Sequence, residues 1–277
     1  CVTRATTARS GSTSSVPESP EPGPPVGPDG MPAPARRPFF AGPADPSAWG
    51  PWGLGDVGAG ILASQFLAAV CTVVAMGLAG WTSAADVPMW GLALLQLPLW
   101  AGWVGALVVA GRKGDGVVAE FGFRAEWIDV PVGLALGAAL QLVVLPLLYL
   151  PVLALLGKDN EDLSEPAKEL AGRANGGTGW LLLLLLVGIG APVVEELFYR
   201  GLLQRALLKR GLPAWASVVL GAAVFAAMHL EALQFLGLFV FGLVAGVLAH
   251  RTGRLGPSVA AHVGFNVTTV VTLWLTR

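Results

Sequence analysis

A small set of polar side chains stands in stretches that are otherwise too apolar to carry them: Glu195, Glu196, Arg200, His229, His262 and Asn266. The uncharged run WLLLLLLVGIG at 180–190 leads directly into APVVEELFYR at 191–200. A charged side chain in hydrocarbon costs about 3 kcal/mol or more, so intramembrane carboxylates, cations and imidazoles carry function by default. Glu196 and Arg200 are spaced i,i+4 and can pair on one helical face. Phe225 and His229 share that spacing in VFAAMHLE, as do His262 and Asn266 in AAHVGFNVT. Glu195 lies one residue, hence about 100°, round its helix from Glu196, so the two carboxylates are expected to face different neighbours. Three apolar helices that each carry one polar stripe suit convergence on a shared cavity.

The chemistry these residue types support is hydrolysis. Breaking a peptide bond needs an activated water and stabilisation of the oxyanion that forms. A carboxylate in apolar surroundings beside a second carboxylate is suited to general-base work. On this reading Glu195 is the base, and His229 holds the same water or shuttles its proton. His262 and Asn266 donate to the oxyanion, while Glu196 with Arg200 is structural. A zinc site is the other reading: Glu195, His229 and His262 could ligate a divalent metal such as Zn²⁺ and leave one position for water. The HExxH signature of the common zinc proteases is absent from the sequence. The residues leave metal-free and metal-dependent hydrolysis both open. Each also has a plainer reading. A Glu–Arg pair can be only a buried helix clasp, a histidine can bond a neighbouring backbone, and an asparagine can be packing glue between spans. Phe225 reads as packing, and Gly242 with Gly246 as a close helix contact.

The elements that must position these residues follow from composition. The chain has 277 residues, of which 54% are hydrophobic and only 13% charged, against about 25% charged in soluble domains. The expected fold class is therefore all-α, a polytopic transmembrane helical bundle of about seven spans. The apolar runs predict helices at 57–80, 88–111, 130–156, 179–208, 213–230, 232–250 and 255–275. The Gly211-Leu212-Pro213 segment breaks the fourth from the fifth, and Gly253–Pro257 the sixth from the seventh.

Residues 1–52, rich in Pro, Ser, Gly and Thr, read as a disordered tail. Residues 53–129 supply the first spans and an interfacial segment, and 130–277 the core that carries the polar stripes. No signal-peptide core is evident, and Met31 is a candidate start in a chain that opens on Cys1. The cysteines Cys1 and Cys71 give neither a disulfide framework nor a metal motif. The net charge of −1 comes without a basic cluster, which gives no support for nucleic acid as a partner.

Basic residues fall at alternate junctions: Arg112, Lys113 and Arg124; Arg205, Lys209 and Arg210; Arg251 and Arg254. With Arg36 and Arg37 they put the N-terminus and these three junctions in the cytoplasm by the positive-inside rule. The Arg-over-Lys bias and abundant Ala, Gly, Leu and Val point to a bacterial cell membrane. Residues 112–129 are amphipathic and read as an interfacial segment or a plain loop. One tension remains. Measured along their helices, His262 lies about 10 Å and His229 about 24 Å from the cytoplasmic ends of their spans. Convergence then needs tilt or an extended fourth helix.

The three motifs Glu195-Glu196-Leu-Phe-Tyr-Arg200, Phe225-Ala-Ala-Met-His229 and His262-Val-Gly-Phe-Asn266 stand intact and in order. With them the chain resembles, over roughly 130–275, the CPBP family of intramembrane proteases, which takes in CAAX prenyl endopeptidases and the bacteriocin-processing Abi proteins. The resemblance implies an intramembrane protease in which the first glutamate and the two histidines are most essential. It also implies a membrane-associated or prenylated protein substrate. It leaves the metal question open, since the family has been called metalloprotease and glutamate protease. A non-catalytic membrane immunity or scaffold protein is the first rival. A proton-coupled transporter is the second, although no inverted repeat supports it.

Overall fold

The computed structural model describes residues 46–276. Cys1, Met31, Arg36, Arg37 and the rest of the expected tail up to residue 45 lie outside the described residues. The described part of the expected tail is packed. A 3-10 turn at Pro46–Ala48 leads to Trp49 and Trp52, whose rings stack at 5.9 Å. Trp52 is buried with its ring edge-on to Phe121. Pro and Ser content set the expected boundary at 52, and composition does not register two tryptophans that find an apolar surface.

The described chain is helical. Its helices are α1 (Leu54–Ala79), α2 (Met89–Gly111), α3 (Val117–Phe121), α4 (Asp129–Leu156), α5 (Asn160–Gly172), α6 (Gly176–Lys209), α7 (Ala214–Ala227), α8 (Phe235–Thr252) and α9 (Gly256–Leu275). Breaks fall where the chemistry demands them. Gly80, Gly157 and Gly253 end α1, α4 and α8 in the left-handed conformation that glycine alone adopts freely. Asp159 caps α5 by accepting from the amides of Glu161 and Asp162. Six helices are long and apolar enough to cross a membrane. Of the seven helices expected, the fifth is the short one: α7 has 14 residues, or about 21 Å. It stops early because Leu230 takes a left-handed turn at φ 58°. In α6, 34 residues long, and in α4, regular α-helix is interrupted by π-helical turns at Leu140–Val144, Leu184–Gly190 and Leu197–Leu203.

The basic junctions meet at one end of the bundle. Arg205 donates to the carbonyls of Glu120 and Gly253, and Arg254 pairs with Asp129 at 2.8 Å. Lys209 donates to the carbonyls of Gly50 and Trp52. The short α3 turns Glu120 and Phe121 inward while Val118, Phe123 and Trp127 stay exposed, as an interfacial segment should. Glu120, itself buried, accepts from the Asp115 amide, the Trp52 indole and the Gly50 amide.

Burial pushes the Glu120 carboxyl up, but those donors and nearby Lys209 outweigh it and hold its pKa below the ordinary glutamate value. On acidification the unfolded chain therefore takes up this proton before the folded one does. The stability Glu120 contributes is full above about pH 4.3 and is lost as pH falls through the lower folded value. Glu120→Gln is expected to cost about 1.5–3 kcal/mol near neutral pH and to flatten this acid-side loss. Thermal unfolding in detergent across that pH range checks both.

With no water to drive helices together in lipid, close approach comes from small residues. α4 and α9 show it most strongly. A Cβ at Gly137 would land on the carbonyl oxygen of Ala261 and the amide of Phe265, and one at Gly264 on the backbone of Leu134. Gly242 of α8 meets Ala222 of α7 in the same way. Gly137→Ala is expected to destabilise the protein by about 1–3 kcal/mol, as overpacking does, since its obstacle is backbone that cannot swing aside. The same unfolding assay reads this, with exposed Gly105→Ala, which meets nothing, as the control.

Candidate active site

The site is built on α6, where a six-residue α-helical stretch, Ala191–Glu196, lies between two π-helical turns. Such turns are rare and recur at functional sites. Glu196 is fully buried. Its Oε1 lies 3.0 Å from Arg200 Nη1, on the same helix, and 3.0 Å from Nδ1 of His262, 66 residues away on α9. A carboxylate paired with a guanidinium is an acceptor, so His262 Nδ1 is the donor. In a neutral ring the lone pair then sits on Nε2. That nitrogen lies 3.9 Å from Glu195 Oε2. The expectation that the two carboxylates face different neighbours is therefore corrected. They flank one imidazole from its two nitrogens, because the ring is wide enough to bridge the offset between adjacent helical positions. Glu195 keeps 13% of its side chain exposed, against none for Glu196.

Phe225 of α7 ties the remaining pieces together. Its ring packs against His229 at 4.7 Å and His262 at 5.7 Å, and the Arg200 guanidinium lies over it at 4.4 Å. Phe241 closes the other side of His262 at 4.6 Å. His229 donates from Nδ1 to the Phe225 carbonyl, which again leaves Nε2 with the lone pair in the neutral ring. The two imidazoles are thus gathered about one phenyl despite their unequal depths along their helices. The fourth span accounts for part of that difference: Arg205, four residues before α6 ends at Lys209, reaches the Gly253 carbonyl with its side chain. α6 therefore overhangs the start of α9 by about a helical turn before the chain reaches α7.

Asn266 lies one helical turn on from His262 along α9. Its Nδ2 donates to the carbonyl of Val187 at 2.7 Å, inside the first π-helical turn of α6. One of its amide hydrogens is thereby committed to holding α9 against α6. Among the described residues no three His, Cys, Asp or Glu side chains form a metal-binding group. Glu195 and His262 face each other, but His229 does not complete a ligand set with them. The residues in this arrangement do not fit the zinc reading. Sequence reasoning missed the bond from Glu196 to His262 and the Val187 carbonyl under Asn266. Neither left a local signal, because both partners lie on distant helices.

Residues 177–268 match the family model described as type II CAAX prenyl endopeptidase Rce1-like. This segment is similar to the Rce1-like family. The match runs from the start of α6 into α9 and takes in Glu195, Glu196, Arg200, His229, His262 and Asn266. No curated protein and no solved structure matches the chain. The apolar spans make this an integral membrane protein, and its 177–268 segment is similar to a protease family.

Proposed function

We propose that the chain is an intramembrane endopeptidase that hydrolyses a peptide bond in a membrane-associated or prenylated, CAAX-type, protein or peptide. The observation that carries this reading is His262 held between two glutamates, Nδ1 on Glu196 and Nε2 at 3.9 Å from Glu195. That gap is too long for a direct hydrogen bond and suits one water between the two groups. Glu195 takes a proton from this water as its oxygen bonds to the scissile carbonyl carbon. The bare Nε2 of His262 cannot make the donation to the oxyanion that the sequence led one to expect. It instead accepts a hydrogen bond from the water's other O–H, which aims the water's lone pair at the carbonyl carbon. Glu195 then returns the proton to the leaving nitrogen as the C–N bond breaks. Glu196, fixed by Arg200, holds the His262 ring in place. His229 is assigned to proton delivery, and Asn266 offers its second amide hydrogen to the oxyanion. The basic end of the bundle faces the cytoplasm of a bacterial cell, with the N-terminus on that side.

Terminal-peptide mass spectrometry on host membranes tests the reading, comparing wild type with Glu195→Gln at matched expression. Peptide ends present only in the wild type identify both the activity and the substrate. Identical ends with the host phenotype intact would replace it with the scaffold role, and Glu195-dependent proton flux in proteoliposomes with a proton relay.

A further inference from the structure

His229 is followed at once by Leu230, the only non-glycine residue with positive φ among the described residues, at 58°. Leu230 is 90% exposed, so its own packing does not hold it there. A left-handed residue after a helix is ordinarily glycine, because any Cβ is crowded in that conformation. A leucine persists there only if its surroundings hold it. Those surroundings are found across the bundle, on α4. Tyr149 is 2% exposed, and its Oη donates to the Leu233 carbonyl at 2.8 Å while accepting from the Gly237 amide at 2.9 Å. It thus pins the end of the turn where α8 begins, three residues beyond Leu230. Gly237 is shaped for it: a Cβ there would stand 3.0 Å from the Tyr149 ring. Gln234 adds a second tie from the same turn, donating to the Leu163 carbonyl of α5 at 3.2 Å.

We propose that Tyr149 is a positioning residue: its hydroxyl latches the α7–α8 turn, which keeps Leu230 left-handed and thereby fixes His229 against Phe225. The inference rests on the protease reading for its effect on rate, but the latch itself can be read without any activity. Tyr149→Phe keeps the ring that fills the space over Gly237 and removes only the hydroxyl. In the full-length protein this variant should show faster amide exchange across 229–237 and faster modification of His229 by diethyl pyrocarbonate. With the cleaved substrate in hand, kcat should fall roughly ten- to a hundredfold with KM unchanged. Adding Leu230→Gly should restore much of that kcat, since glycine holds the turn without a latch. A merely structural tyrosine would not be rescued in this way.

Wild-type exchange and wild-type His229 reactivity in Tyr149→Phe would overturn the latch. Faster exchange with unchanged kcat would overturn its role in the site. If the wild type cleaves nothing, the protease reading fails, and the exchange and modification rates still decide whether Tyr149 sets His229.

Discussion

Glu195→Gln is expected to leave the fold and its melting temperature intact and to lower peptide-bond cleavage by about 10²- to 10⁴-fold, the contribution typical of a positioned general base. The two adjacent glutamates separate on this test because their surroundings differ. Glu195 is the one with a side chain partly open to its surroundings, and it takes no part in the ion pair with Arg200. It faces the far nitrogen of His262, at a distance a water can bridge. The amide of glutamine occupies the same space but cannot take a proton from that water. Removing the carboxylate leaves His262 on Glu196 and Arg200 on Glu196, so nothing buried loses its partner. The measurement is cleavage of the peptide found by terminal-peptide mass spectrometry, beside thermal unfolding in detergent. Full activity in this variant would remove Glu195 from the chemistry.

Glu196→Leu is expected to act in the opposite way, on the fold first. Arg200 is 2% exposed and lies against Phe225, so losing its carboxylate leaves an uncompensated buried cation. Breaking one side of such a pair costs about 3–5 kcal/mol. His262 Nδ1 loses its acceptor in the same step. The double variant Glu196→Leu/Arg200→Met is expected to recover most of the stability, since apolar groups of similar volume often replace a buried ion pair without loss. Its cleavage should stay low, because the imidazole still has nothing to hold its Nδ1 side. Unfolding and cleavage measured on wild type, both single variants and the double variant check this. A Glu196→Leu protein as stable as wild type would show that the pair contributes nothing net to the fold.

The two largest effects are thus carried by neighbours in sequence, and their division of labour was only partly legible there. The i,i+4 spacing of Glu196 and Arg200 announced their pairing, because both ends of that contact lie on one helix. The same spacing put Phe225 under His229. It could not announce that Glu196 also takes His262. Nor could it announce that Asn266 is spent on Val187, since those partners are separated by 66 and 79 residues. The common side of the three basic junctions was readable from their alternation along the chain. That Arg205 physically joins two of them was not. The short α7 was misjudged in length because apolar content continues past Ala227, while the chain turns at Leu230 on a conformation that leucine does not advertise.

What the sequence by itself determined is the class of molecule and the inventory of its site. An apolar chain with few charges must satisfy its backbone as helices, and the few polar side chains left on those helices mark where chemistry sits. What only the tertiary structure decided is which of them meet. Helix periodicity fixes the face a residue occupies but neither the depth nor the rotation at which one helix packs on another. Here a fourth span of 34 residues, interrupted by π-helical turns on either side of its glutamates, sets both. It brings Glu195 and Glu196 to the two nitrogens of one histidine.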